Sequence, residues 1–215
     1  MRINTILAAG FAAALTANAG AALVQIDMYG SVDFNVIGGT HAGIPSGAPV
    51  HMGFQVDSDV FVNSGSFPTR GYTVIDSSFV MTVGAASVIF DNPQPSPAYF
   101  VLRNNDPAVD GFFLSPSVDL DFPTAVHIPG LTPAHELDFK VTYPGTTLSS
   151  LNILDAVGSY SFAGISVFNW GIGRFGNHGA EYVYESMTIA AVPSGGAASL
   201  LATAGLVALR RRRSA

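Results

Sequence analysis

From residue 135 to 143 the chain alternates: Leu137, Phe139, Val141 and Tyr143 are apolar, while Glu136, Asp138, Lys140 and Thr142 between them are polar. A period of two sends successive side chains to opposite faces, so this stretch reads as a β-strand with one dry and one wet face. Similar runs fall at 31–37, 50–56, 99–103, 111–114, 160–170 and 181–190. The pair 78–83 and 87–90 reads as a hairpin turning at Gly84-Ala85-Ala86. Proline and glycine clusters separate the runs, at Gly38-Gly39, 45–49, 92–97, 129–133 and Pro144-Gly145. They interrupt the chain too often for long amphipathic helices, and only 148–157 has the look of a short one. Many short strands without strand-helix alternation predict an all-β fold: a single antiparallel β-sandwich or jelly-roll-like domain.

Both ends depart from this alternation. Arg2 precedes an apolar stretch at 6–15, and Ala17-Asn18-Ala19 offers the small residues of a signal-peptidase site, so cleavage is expected after Ala19 or Ala21. At the other end Val192-Pro193-Ser194-Gly195-Gly196 leads into an uncharged apolar segment, 197–209, closed by Arg210, Arg211, Arg212 and Arg213. Arginines stay on the cytoplasmic side, so such a block stops and orients a membrane segment. At 1.5 Å per residue, 197–209 makes about 20 Å of helix, and with 192–196 about 27 Å, against a hydrocarbon core of roughly 30 Å. This is a marginal anchor, suited to being cut away. The expected organisation is a signal helix at 1–21, an ectodomain at 22–191, and a C-terminal sorting segment with a transmembrane helix at 192–215.

Charge sharpens the division. Between 22 and 191 the only cations are Arg70, Arg103, Lys140 and Arg174, whereas all fifteen acids of the chain lie there. So acidic a body argues against nucleic acid as a partner, because phosphate binding needs clustered Lys and Arg. The chain has no cysteine, which removes disulfide staples, thiol catalysis and a lipoprotein anchor. Stability must come from an apolar core, and 48% hydrophobic residues with fifteen Phe can supply one.

The tail resembles a PEP-CTERM sorting signal, the tripartite C-terminal segment of proteins processed by exosortase systems in Gram-negative bacteria that make abundant extracellular polysaccharide. Val192-Pro193, the apolar segment and the arginine block match that pattern; Ser194-Gly195 stands where the Glu-Pro pair would be. Gly195-Gly196 also resembles the GlyGly-CTERM signal, which is handled by a rhomboid-type protease. The run Phe54-Gln55-Val56-Asp57-Ser58-Asp59, then Gly71-Tyr72 and Ser78-Phe79-Val80-Met81-Thr82-Val83-Gly84, is similar to β-rich ectodomains that precede such tails. The resemblance implies export, an exosortase-like processing protease, transient membrane anchoring, and a place at the cell surface or in the matrix.

Candidate chemistry is sparse. Gly171-Ile172-Gly173-Arg174-Phe175-Gly176 has the letters of a dinucleotide loop, but no helix and acid follow it, so a glycine-rich β-turn is expected. Asp57 with Asp59, Asn104-Asn105-Asp106, and Asp119 with Asp121 bring oxygens close together; calcium needs six to eight, and turn acids held by local hydrogen bonds explain them as well. His41, His51, His127, His135 and His178 are scattered, with no pair at zinc-ligand spacing. Glu136 and Asp138 share the wet face of one strand rather than facing each other across a cleft, as glycoside hydrolysis requires. Phe168, Trp170, Tyr182 and Tyr184 could stack on sugar faces or pack in the core. The sequence therefore points to a non-enzymatic, exported surface or matrix protein with a structural or adhesive role in a polysaccharide-rich envelope, without a cofactor. A carbohydrate-binding module and a glycan-active enzyme are the alternatives.

Overall fold

The computed structural model of the protein describes residues 21–91, 96–174 and 177–193, with backbone alone at 177 and 178. Twelve strands account for most of them: β1 (Leu23–Asn35), β2 (Pro49–Asn63), β3 (Thr69–Val74), β4 (Val80–Val83), β5 (Ala86–Phe90) and β6 (Tyr99–Arg103). Then follow β7 (Val109–Ser115), β8 (Thr124–His127), β9 (His135–Pro144), β10 (Gly158–Ser161), β11 (Val167–Arg174) and β12 (Asn177–Ala191). The helical residues described are two 3-10 turns, Gly39–His41 and Asp76–Ser78.

All pairings are antiparallel, and the sheet closes on itself in the order β1-β12-β11-β9-β7-β6-β3-β2, with β2 returning to β1. The expected all-β antiparallel domain is therefore present, but as a closed eight-stranded barrel with added strands rather than two separate sheets. Closure follows from long strands that change partners along their length. On one edge β2 pairs with β1 through 49–57; on the other it meets β4 through Val50–Gly53 and, after an irregularity between Val56 and Phe61, β3. On β9, one edge lies against β11, and the other is shared by β8 near His135 and β7 near Tyr143. The wall between β2 and β9 thus forks into a β3-β6-β7 branch and a β4-β5-β8 branch.

Strand β1 starts beside Asp57 and the end of β12, and finishes beside Ala180 at the other end of the barrel, a strand length of about 40 Å at 3.3 Å per residue. The end holding Leu23 and Ala191 is here termed the proximal pole, and the end holding Asn35, His135 and Arg174 the distal pole. The β3-β6-β7 branch walls the proximal half and β4-β5-β8 the distal half.

A row of aromatic rings crosses the fork through the core. Phe90 stacks on Phe79 at 3.8 Å, Phe79 lies near Phe54, and Phe54 meets Phe100 edge-on at 5.5 Å. Phe100 then stacks on Phe112, which meets Tyr143 and Tyr160. Phe54, Phe100 and Phe112 are fully buried, so this row ties both branches into one core.

Several expectations need correction. Residues 148–157 form turns, not a helix; their backbone is held by Tyr72, whose hydroxyl donates to the Leu151 carbonyl and accepts from the Ile153 N–H. The run 160–170 is two strands, because Ile165 N–H bonds back to the Phe162 carbonyl and turns the chain between β10 and β11. No helix among the described residues is long and apolar enough to cross a membrane. All but the last residue of the predicted signal helix at 1–21, and the membrane segment at 197–209 with Ser194, Gly195, Gly196 and Arg210 to Arg213, lie outside the described residues. Val192 and Pro193 directly follow β12, and Val192 N–H donates to the Leu23 carbonyl at 2.8 Å.

Candidate ligand pocket

The distal pole is closed by two loops folded over the barrel end. After β1, Asn35 fixes the first of them: its side-chain amide donates to the His41 carbonyl at 2.6 Å, and its Oδ1 accepts from Ile37 N–H at 3.0 Å. The 3-10 turn that follows begins at Gly39 (φ 62°), where a Cβ would run into the Leu131 side chain, so only glycine allows the two loops to meet there. Thr40 Oγ1 donates to the Pro129 carbonyl of the second loop. Between the loops and the ends of β9 and β11 lies an open pocket of 430 Å³, lined by Ile37, Gly38, Leu131, Thr132, His135, Gly173, Arg174 and Gly179.

Register explains who meets whom. Leu137 pairs with Ile172 and Glu136 with Gly173, so the next positions along, His135 and Arg174, are neighbours on the inner face at the end of the ladder. His135 is 5% exposed, and its Nδ1 has no hydrogen-bond partner. The Arg174 guanidinium donates from Nη2 to the Pro133 carbonyl at 2.9 Å, while its buried Nε is unpartnered. His41, wholly buried on the roof, leaves Nε2 unpartnered. Buried polar atoms are almost always satisfied, so three such nitrogens at one barrel end need an explanation.

Their electrostatics agree with one another. Burial, then the nearby His135, pushes the His41 pKa below its ordinary 6.5. Burial, then Arg174 and His127, lowers that of His135. Both imidazoles are therefore neutral at pH 7, and Arg174 supplies the pocket's positive charge. Elsewhere, Arg103 lies 3.7 Å from Asp106, Lys140 pairs with Asp121, and Arg70 sits over the Phe61 ring at 4.1 Å.

The sites expected from sequence fare differently. Trp170, Tyr182 and Tyr184 are each at most 1% exposed, which overturns the sugar-stacking platform; only Phe168 reaches solvent, edge-on to Phe162. Burial raises the Tyr182 and Tyr184 phenols, and Tyr184 is bonded to Tyr143 at 3.1 Å. Gly171 to Arg174 lie in strand β11 rather than in the expected glycine-rich turn, and Phe175 and Gly176 lie outside the described residues. Asp57 accepts from Asp59 N–H, and Asp121 is committed to Lys140. Ser117 holds the Asp119 backbone, and buried Asp110 holds the 104–106 turn by accepting from Asn105 N–H. Among the described residues no three His, Asp or Glu side chains converge as a metal site. Glu136 lies on the outer face of β9, and Asp138 accepts from Asn169. His51 pairs with Asp27 at 2.8 Å and stacks on Tyr29 on the outer wall.

The pocket was missed because its members come from three distant segments. A signal was nevertheless present: His135 is in phase with Leu137 and Phe139, and Arg174 with Trp170 and Ile172. A titratable residue on the apolar phase at a strand end points into the barrel mouth. No family model, curated protein or solved structure matches the chain. The functional reading therefore rests on sequence and geometry.

Proposed function

We propose that the chain is an exported cell-surface or matrix protein with a structural or adhesive role, delivered through its PEP-CTERM-like tail and released from the membrane when the tail is cut. The observation that carries this reading is the pairing of β1 with β12. It runs from Val24 opposite Ala191 to Asn35 opposite Ala180, and the Leu23 carbonyl accepts from Val192 N–H. The expected signal-peptidase site and the start of the sorting tail therefore flank the folded body at the same pole. A body with this geometry can be tethered from both sides of its sequence without strain, with its distal pocket at the pole away from the tether.

The signal-like segment, the marginal apolar tail and the arginine block support the same address. We ascribe no catalytic step to the protein. The test is the intact mass of the chain recovered from its host. A product beginning between Gly20 and Ala22 and ending near Pro193 supports the reading, while a mass that still includes Arg210 to Ala215 overturns sorting by tail removal.

A further inference from the structure

We propose that the distal pocket binds a carboxylate carried on a sugar ring, the uronate unit of an acidic polysaccharide. Three observations carry the proposal. Arg174 has a planar donor group at the pocket wall with one N–H already fixed on the Pro133 carbonyl and Nε left free. Guanidinium matches a carboxylate in shape, and a charged donor gives the stronger hydrogen bonds. His135 adds a second unpartnered nitrogen from a side chain that is nearly completely buried.

The charge balance selects the anion. With His41 and His135 neutral, the pocket offers one positive charge, which a monoanion neutralises and a phosphate dianion over-compensates. The walls select the body that carries it. Ile37 and Leu131 give apolar surface for the C–H face of a ring, and a volume of 430 Å³ falls in the range of small-molecule sites. The glycines lining the pocket leave that volume unfilled.

The anion chemistry stands on the pocket alone; the choice of a polymer as its source rests on the export reading above. Calorimetry on the full chain in neutral detergent, with glucuronate, glucose, inorganic phosphate and an oligoglucuronate as probes, tests both parts. The expected result is that glucuronate binds, and that glucose and phosphate bind about tenfold more weakly or not at all. Arg174→Gln should weaken glucuronate about tenfold or more, with Arg174→Lys in between because it keeps the charge and loses the fork.

Equal binding of glucose and glucuronate, or tighter binding of phosphate, overturns the proposal without reference to any variant, so a poorly folding Arg174→Gln does not shelter it. An Arg174→Gln protein that folds and binds normally also overturns it. Binding of glucuronate but not of the oligomer overturns the polymer source. The export reading fails separately, on the intact mass of the host-derived protein.

Discussion

The two ends of the barrel solve the same problem differently. At the proximal pole, Asp110 is wholly buried, yet its carboxylate accepts from Asn105 N–H at 2.8 Å and Leu148 N–H at 2.6 Å, and Arg103 Nε, though without a hydrogen bond, lies 3.7 Å from the Asp106 carboxylate. The neighbouring Tyr143 and Tyr184 hydroxyls bond to each other and to the Ser161 and Tyr160 carbonyls. At the distal pole, buried His41 and His135 and half-buried Arg174 each retain an unpartnered nitrogen with no carboxylate of a described residue beside it. The proximal end is built to hold together; the distal end keeps hydrogen-bonding capacity unspent. Evolved sites commonly give up stability in this manner, and the difference identifies the distal end as the place where a ligand adds to the fold.

The comparison can be broken at four points, in decreasing order of expected effect. Phe54→Ala removes the ring that joins the two branches of the wall and should cost about 3–5 kcal/mol in denaturant unfolding, with a loss of cooperativity between the poles. A loss below about 1 kcal/mol would mean that the branches are coupled by other contacts. Asp110→Ala strands the buried Leu148 N–H and the part-buried Asn105 N–H and should cost about 3 kcal/mol, read from the same curves.

The third effect is pH. His41 and His135 have folded pKa values below 6.5, so as pH falls below that value the unfolded chain takes up protons before the folded one does. Stability is full above about pH 6.5 and is lost as pH falls towards the folded values. Urea midpoints should therefore decrease from pH 7.5 to about pH 5.5, and a His41→Asn/His135→Leu variant should flatten that slope. The smallest effect is that of His135→Leu alone at pH 7.5. At a satisfied buried site such a change is destabilising, but here the melting temperature should hold or rise by a few degrees, since the replaced nitrogen has no partner to lose.

Much of the architecture was legible because alternation is a local signal. Strand β6 falls at 99–103 as its pattern indicates, and β9 extends the 135–143 run by one residue. Strands β3 and β8 were not found: Thr69–Val74 contains Gly71, where the Val118 and Tyr99 side chains approach the backbone, and Thr124–His127 is only four residues long. Barrel closure was beyond local pattern, since it depends on β2 and β9 changing partners midway. The aromatic run at Phe168, Trp170, Tyr182 and Tyr184 admitted two readings, and burial decided for the core. In the pocket, His135 and Arg174 carry a correct local hint in their strand phase, but their meeting with His41 is a property of the closed barrel.

The β1–β12 seam also sets a clock. Its two strands are drawn from opposite ends of the folded body, and it is the most non-local pairing in the fold, so it forms slowly and only after nearly all of residues 23–191 are available. Until Ala191 is available to pair with it, the outer edge of β1 stays open. The last seam to close therefore lies directly beside Val192 and Pro193, and the tail removal proposed above would act on a chain that has had its first opportunity to close.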